Sequence, residues 1–99
     1  MIVLDHSDYA WFLLEHDGAL YLDAYCSFSF LDYSALIAMD ELEVAAYRNK
    51  GRSYLDRLAY DINSSAPAAL GSKSRYIGRD LTLKLGKLKS VAIAQWRSR

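Results

Sequence analysis

The chain has 99 residues, 53% of them hydrophobic, and its twelve acidic side chains are balanced by twelve basic ones. This length predicts one small domain over residues 1–99, and the single cysteine, Cys26, excludes an internal disulfide and suits a reducing cytoplasm. No apolar run approaches the about 20 residues that span a bilayer, and the N-terminus lacks the basic region of a secretory signal, so we expect no membrane partner.

The clearest pattern in the first half is a β-hairpin. Two runs rich in apolar and aromatic residues, 9–16 and 19–26, flank Asp17-Gly18. This dipeptide suits a type I′ turn, in which both central residues have positive φ. A two-residue turn pairs three positions across the strands: His16 with Ala19, Leu14 with Tyr21, and Phe12 with Asp23. A third apolar run, 33–39, continues the meander, so we predict a three-stranded antiparallel sheet.

A helix is predicted to follow the sheet. Asp40 provides an N-cap, and Glu43 three residues later completes an Asp-headed capping box. Apolar residues continue in helical phase as far as Ile62. We therefore predict one long helix over residues 41–63 that packs on the sheet.

Gly51 lies at the centre of the apolar stripe of this helix. A glycine inside a helix costs about 1 kcal/mol relative to alanine, and a close approach of helix and sheet would explain it. The alternative is a break at residues 49–51, with Ser53 capping a second helix. Because the stripe keeps its phase across Gly51, we predict the unbroken helix.

The last third of the chain is predicted to form a flexible loop and a C-terminal helix. Residues 63–74 are small and polar, which is typical of a loop. A hairpin over residues 81–96 would place Lys84 opposite Lys89, a like-charge pair that costs stability. We favour a helix capped by Asp80. It places five apolar residues on one face: Leu81, Leu85, Leu88, Ala92 and Trp96. The predicted fold class is therefore α+β.

One face of the predicted hairpin mixes apolar, aromatic and ionisable side chains. Its members are Phe12, Leu14, His16, Tyr21, Asp23 and Tyr25. Tyrosine is favoured where one end of a side chain is buried and the other is hydrated. The C-terminal helix could cover this face, or the face could form a dimer interface or a small-molecule pocket. We favour the first two interpretations, because two helices can lie on one side and leave the other for a partner.

Charge is divided between the two halves of the chain. The first 47 residues hold nine acidic side chains and no Lys or Arg, whereas the remaining 52 hold all twelve basic residues and three acidic ones. Such a division indicates a charged partner or two complementary layers of one fold. Five basic residues are candidates for binding a polyanion: Arg75, Arg79, Lys84, Lys87 and Lys89. The lysines are spread around the helix, so we favour complementary layers or subunits over polyanion binding.

Familiar catalytic and metal-binding patterns are missing from the sequence. The two histidines and their acidic neighbours lack the spacing of a metal-ligand set: His6, Asp8, His16 and Asp17. Cys26 lies in a predicted strand of the acidic half, where negative charge raises the pKa of a thiol, so we predict a buried structural cysteine. The segment 71–74 lacks the first glycine of a phosphate-binding loop. We predict no catalytic residues, metal or cofactor.

Three hypotheses for function follow from these features. The leading one is a non-enzymatic interaction protein that forms a homodimer through a sheet face or the C-terminal helix. The first alternative is binding of nucleic acid or another polyanion by the basic half. The second alternative is binding of a small molecule on the tyrosine-rich sheet face.

Overall fold

The protein is a three-layer structure in which a sheet lies between two layers of helices. The computed structural model describes residues 1–67, 69 and 71–99. Four antiparallel strands form a meander in chain order: β1 (Ile2–Ser7), β2 (Trp11–His16), β3 (Ala19–Phe28) and β4 (Leu31–Ala38). Three helices complete the fold: α1 (Glu41–Lys50), α2 (Arg52–Ser64) and α3 (Thr82–Arg97), with a 3-10 turn at Ile77–Arg79. The predicted α+β class is confirmed.

The β2–β3 hairpin has the predicted register. His16 pairs with Ala19, Leu14 with Tyr21, and Phe12 with Asp23. Asp17 and Gly18 both have positive φ, 51° and 80°, as the predicted type of turn requires. Local turn chemistry therefore fixes which side chains share a face of the sheet.

The sheet has four strands, and the prediction of three strands is wrong. The missed strand, β1, pairs antiparallel with β2 and places His6 opposite Phe12. Its register shifts between Val3 and Asp5, so the strand carries a bulge. The turn into β2 contains Tyr9 at a φ of 60°, a conformation that L-residues other than Asn, Asp and His rarely adopt. Because Tyr9 occupies this position, no glycine marks the turn in the sequence, and the strand before it was missed.

The long helix is two helices, and the prediction of an unbroken helix is wrong. Gly51 separates α1 from α2 with a φ of 71° and a ψ of −147°, a backbone conformation that is essentially restricted to glycine. A Cβ at Gly51 would have no atom within 4 Å, so close approach to the sheet is not its role. Ser53 does not cap α2, because its hydroxyl donates to the carbonyl oxygen of Lys50. The capping box of Asp40 and Glu43 is confirmed.

Both faces of the sheet are covered. The larger core lies between the sheet and α2, and its fully buried members include Leu13, Leu22, Ala24, Cys26, Ile37, Leu55 and Ile62. The indole N–H of Trp11 also donates to Asp56 of α2 at 2.8 Å. The smaller core lies between the sheet and α3, around Leu14, Leu36 and Ala92. The C-terminal helix therefore covers part of the tyrosine-rich face.

The C-terminal helix is confirmed, but its buried face differs from the predicted stripe. Ala92 is buried, whereas Leu88 is 43% exposed. The buried side instead includes Lys89 and Ile93, which lie next to Ala92 around the helix. Asp80 accepts from the backbone N–H of Thr82 at 3.0 Å, although the N-cap residue itself is Leu81. The apolar stripe thus predicted the helix but not which of its sides faces the sheet.

Serine hydroxyls join the two ends of the segment that follows α2. The hydroxyls of Ser65 and Ser74 lie 2.6 Å apart, and the hydroxyl of Ser72 donates to the carbonyl of Ser65 at 3.1 Å. The predicted flexible loop, residues 63–74, includes positions 68 and 70, which lie outside the described residues. Its mobility stays a prediction. Among the described residues, no helix is long and apolar enough to cross a membrane.

Candidate functional site

The exposed aromatic side chains all lie at one end of the sheet. Of the three Phe, two Trp and eight Tyr residues, five are exposed: Tyr9, Tyr25, Phe28, Phe30 and Tyr60. They come from the β1–β2 turn, the end of the β3–β4 hairpin and the second half of α2. We call these five side chains the aromatic end. Among the described residues, the other exposed large hydrophobic side chains are aliphatic and lie on β1, β4, α1, α3 and the 3-10 turn.

Chain geometry brings the aromatic end together. Strand β2 begins at Trp11 opposite Ala24, so the β3–β4 hairpin extends beyond this end of β2 and carries Tyr25, Phe28 and Phe30 outward. The amide of Tyr25 donates to the carbonyl of Ala10 at 2.9 Å, which holds the β1–β2 turn against β3. Asn63 at the end of α2 accepts from the amide of Ser27 at 2.9 Å. A shallow depression between these elements is lined by Tyr9, Tyr25 and Tyr60.

A cleft of about 460 Å³ opens beside the aromatic end, on the α3 side of the sheet. Phe12, Tyr25 and Trp96 supply aromatic walls, and Asp23 of β3 and Ser34 of β4 supply polar groups. Its remaining lining comes from the β1–β2 segment and the end of α3: His6, Ser7, Asp8, Tyr9, Ala10, Trp11 and Arg97. This volume is in the range of pockets that hold small molecules.

A buried ion pair lies beneath the cleft. The ammonium of Lys89 is 3.2 Å from Oδ1 of Asp23 and donates to Oγ of Ser34 at 2.9 Å. The side chains of Asp23 and Lys89 are only 7% and 12% exposed. Burial raises the pKa of Asp23 above its ordinary value, and the charge and hydrogen bond of Lys89 oppose that shift. The pair therefore joins α3 to β3 and β4.

Three rings form a cluster at the mouth of the cleft. The His6 ring stacks on Phe12 at 5.7 Å, and Trp96 meets both rings edge to face, at 4.4 and 5.6 Å between centroids. The guanidinium of Arg97 lies 5.8 Å from the centre of the Phe12 ring. That of Arg99 lies 5.5 Å from the centre of Trp96. These contacts place the last turn of α3 beside β1 and β2.

The polar groups around the cleft include one histidine–carboxylate contact. Nε2 of His6 lies 2.8 Å from Oδ1 of Asp8, which is an arrangement that can orient a general base. A nucleophile would need to contact that base. The nearby hydroxyl of Ser34 contacts Lys89 instead. In the part of the chain that the structure describes, no group of three His, Cys, Asp or Glu residues could hold a metal ion.

The structure brings together half of the predicted sheet-face residues. Phe12, Asp23 and Tyr25 line the cleft. Leu14 is fully buried against α3. Tyr21 packs partly buried at the edge of the same core, and His16 lies beside the hairpin turn, with Nε2 at 3.4 Å from Asp17. The face is therefore divided into a covered part and an open end.

Sequence reasoning missed the residues that β1 and α3 contribute to the cleft. The largest of these are His6, Tyr9, Trp96 and Arg97. The β-prone run Ile2-Val3-Leu4 is a weak strand signal, but the bulge between Val3 and Asp5 shifts the register, so this run does not by itself place His6 opposite Phe12. No local pattern places Trp96 there, because its position depends on how α3 crosses the sheet.

The five predicted polyanion-binding residues have different surroundings. Arg79 forms a two-bond pair with the buried carboxylate of Glu43 and donates to the carbonyl of Ala38 at 2.8 Å. Lys89 is buried against Asp23. Arg75 is exposed and stacks over Tyr76 at 5.1 Å. Two further lysines are exposed on α3: Lys84 and Lys87.

The described Lys and Arg ion pairs all connect the acidic half of the chain to the basic half. Four side-chain contacts within 4.0 Å make this connection: Arg52 with Asp5, Arg79 with Asp40, Arg79 with Glu43, and Lys89 with Asp23. Each contact joins a helix or the 3-10 turn to the sheet or to the start of α1. These pairs support the interpretation of the charge division as complementarity between layers.

Cys26 is a buried structural residue, as predicted. Its side chain is fully buried, and its thiol donates to the carbonyl of Ala24 at 3.6 Å. Burial raises the pKa of the Cys26 thiol to about 11, with the charge of Asp23 adding to the effect. The thiol is therefore neutral at physiological pH and is no candidate nucleophile.

Comparison of the chain with protein-family models, with curated proteins and with solved structures finds no significant match to any of them.

Proposed function

We propose that the protein is a non-enzymatic interaction protein that self-associates through the aromatic end. The observation that carries this proposal is the gathering of all five exposed aromatic side chains at one end of the sheet. Soluble monomers rarely expose a large contiguous apolar patch, and aromatic residues are enriched where proteins meet. Phe30, whose side chain is fully exposed at the tip of the β3–β4 hairpin, is the natural anchor.

The other two surfaces considered for self-association support it less well. Helix α3 covers the middle of the tyrosine-rich sheet face, where Leu14 and Leu36 have no exposed area. The outer face of α3 exposes Leu83 and Val91, but residues 81–99 contain no acidic side chain. A symmetric contact between two such helices would bring like charges together, which costs several kcal/mol.

Acidic groups at the aromatic end have partners within the chain. Asp8 contacts the His6 ring, and Asp32 accepts a hydrogen bond from the hydroxyl of Tyr25. Both carboxylates remain at the surface, Asp8 with 82% of its side chain exposed, so these contacts offset their charges only in part. This arrangement lowers the repulsion expected when two copies approach through the aromatic end.

Sedimentation velocity from low to high micromolar concentration tests this proposal. We expect the wild-type protein to change from monomer to dimer and Phe30→Ser to weaken the dimer at least about tenfold. Leu42→Ser is the matched control, because Leu42 is 83% exposed on α1 and does not belong to the aromatic end. A wild-type protein that stays monomeric throughout, or a Leu42 variant with the same effect as Phe30→Ser, would overturn the proposal.

A second candidate function is binding of a polyanion by the α3 layer. The favouring observation is that Arg75, Lys84 and Lys87 are exposed and that residues 81–99 contain no acid. Filter binding of single-stranded DNA and RNA across a salt series tests it. Retention at about 50 mM salt that falls steeply as salt rises would support it, with a smaller slope for the Lys84→Gln/Lys87→Gln variant. No retention at low salt would exclude it.

A further inference from the structure

We propose that the cleft binds a flat heteroaromatic ring that carries an exocyclic amino group, as adenine and cytosine do. This site adjoins the self-association surface and shares Tyr9 and Tyr25 with it. The chemistry of its walls and floor defines the ligand.

The walls of the cleft favour a flat aromatic ligand. Phe12, Tyr25 and Trp96 line it, and the Phe12 and Trp96 rings stand almost perpendicular to one another, at 84°. Each ring offers a π-face or an edge to a bound ring, and nucleic-acid bases stack favourably on aromatic side chains. The cleft volume of about 460 Å³ is sufficient for one nucleoside-sized ligand.

The floor of the cleft favours a ligand that donates hydrogen bonds. An ionised carboxylate has about four acceptor positions and no donor. Asp23 uses one of them for the ammonium of Lys89. Acceptor capacity therefore remains where Asp23 lines the cleft. An amino group satisfies this carboxylate, whereas a carbonyl oxygen at the same position faces it as a second acceptor and is disfavoured.

The test compares nucleosides that carry an amino group with their counterparts that carry a carbonyl at the same ring position. Isothermal titration calorimetry of the wild-type protein with adenosine, inosine, cytidine and uridine is expected to show at least about tenfold tighter binding of each amino nucleoside than of its carbonyl counterpart. This comparison needs no variant. Absence of binding by all four nucleosides at millimolar concentration, or equal binding within each pair, would overturn the proposal.

Asp23→Asn tests the role of the floor. The Asn amide oxygen can still accept from Lys89, while its NH₂ group can donate to a carbonyl, so the preference between adenosine and inosine is expected to shrink at least about tenfold or invert. Trp96→Leu, which keeps an apolar side chain, is expected to weaken all binding nucleosides together. A Trp96 variant with unchanged affinity, or an Asp23 variant with unchanged preference, would count against the site.

Two further measurements separate this site from other properties of the protein. Self-association of Asp23→Asn is expected to match wild type in sedimentation velocity, because Asp23 is buried and lies outside the aromatic end. Titration with a short oligonucleotide of adenine bases shows whether the cleft binds a base within a strand or only a free nucleoside. Binding of either probe with the amino preference supports the proposal, and binding of neither overturns it.

Discussion

The ammonium of Lys89 lies 3.2 Å from the carboxylate of Asp23, although 66 positions separate the two residues in the chain. Both side chains are buried between α3 and the sheet, where most helices present apolar residues. The hydrogen bond from Lys89 to Ser34 adds a second strand to the contact. This pair therefore fixes where α3 crosses the tyrosine-rich face, and it leaves the end of that face open as the cleft.

Removal of Lys89 is expected to destabilise the protein strongly. Lys89→Met leaves the carboxylate of Asp23 buried without a cation, so we expect the free energy of unfolding to fall by about 3–5 kcal/mol. The double variant Asp23→Leu/Lys89→Met removes both charges and is expected to recover most of that loss. Urea denaturation at neutral pH measures both effects. A change of less than about 1 kcal/mol in Lys89→Met would show that the pair is not buried in solution.

The same pair gives a pH dependence of defined sign. Burial raises the pKa of Asp23 above its ordinary value of 3.8. Between 3.8 and the raised value, the folded protein holds a proton that the unfolded chain has released. The contribution of Asp23 to the free energy of unfolding therefore declines as pH rises through this window and is largest below it.

Comparison with Asp23→Asn isolates this contribution. Urea denaturation between about pH 4 and 7 is expected to show wild type losing stability relative to Asp23→Asn as pH rises. Asp61→Asn, at an exposed position of α2, is the control for the substitution itself. A difference between wild type and Asp23→Asn that stays constant, or that grows in favour of wild type with rising pH, would contradict the direction of the pKa shift.

Two glycines are expected to respond oppositely to alanine. Gly51 has a φ of 71° and a ψ of −147°, so Gly51→Ala is expected to lower the free energy of unfolding by about 1–3 kcal/mol. Gly86 lies within α3, and the nearest atom to a Cβ there is Cγ2 of Thr82 at 3.8 Å. Gly86→Ala is therefore expected to raise stability by about 0.5–1 kcal/mol. Thermal and urea denaturation of both variants provide the measurement, and effects of the same sign would contradict it.

Cys26 is expected to resist alkylation in the folded protein. Its thiol is fully buried and has a pKa of about 11, so both access and ionisation are suppressed. Iodoacetamide at about pH 8 should modify Cys26 within minutes in denaturant and much more slowly in its absence, as followed by mass spectrometry. Equal rates under the two conditions would show that the region around Cys26 opens readily.

Local chemistry explains which parts of the fold could be predicted. The Asp17-Gly18 turn and the Asp40 capping box each depend on residues within a few positions of one another, and both are present as predicted. The β1–β2 turn uses Tyr9 at positive φ, which no local rule favours. At Gly51 the apolar residues keep their helical spacing, but the helical backbone is interrupted. One glycine conformation therefore outweighed an apolar stripe in phase on both sides.

The candidate site was predictable only in the part that the hairpin supplies. Phe12, Asp23 and Tyr25 share a face because pleat and register are local properties. Trp96 and Lys89 arrive from α3, whose rotation is set by the long-range pair with Asp23. The apolar stripe favoured Leu88 over Lys89 as a buried position. Hydrophobic periodicity treats every lysine as exposed, because it contains no information about a distant partner such as Asp23.

The division of charge has a consequence for synthesis on the ribosome. The first 47 residues leave the exit tunnel with nine negative charges and no Lys or Arg to neutralise them. The cations that pair with Asp5, Glu43 and Asp23 follow at positions 52, 79 and 89. A nascent chain that contains all four strands therefore still lacks α3 and its buried lysine. We therefore expect the sheet to gain its contacts with α3 only after residues 82–97 have left the tunnel.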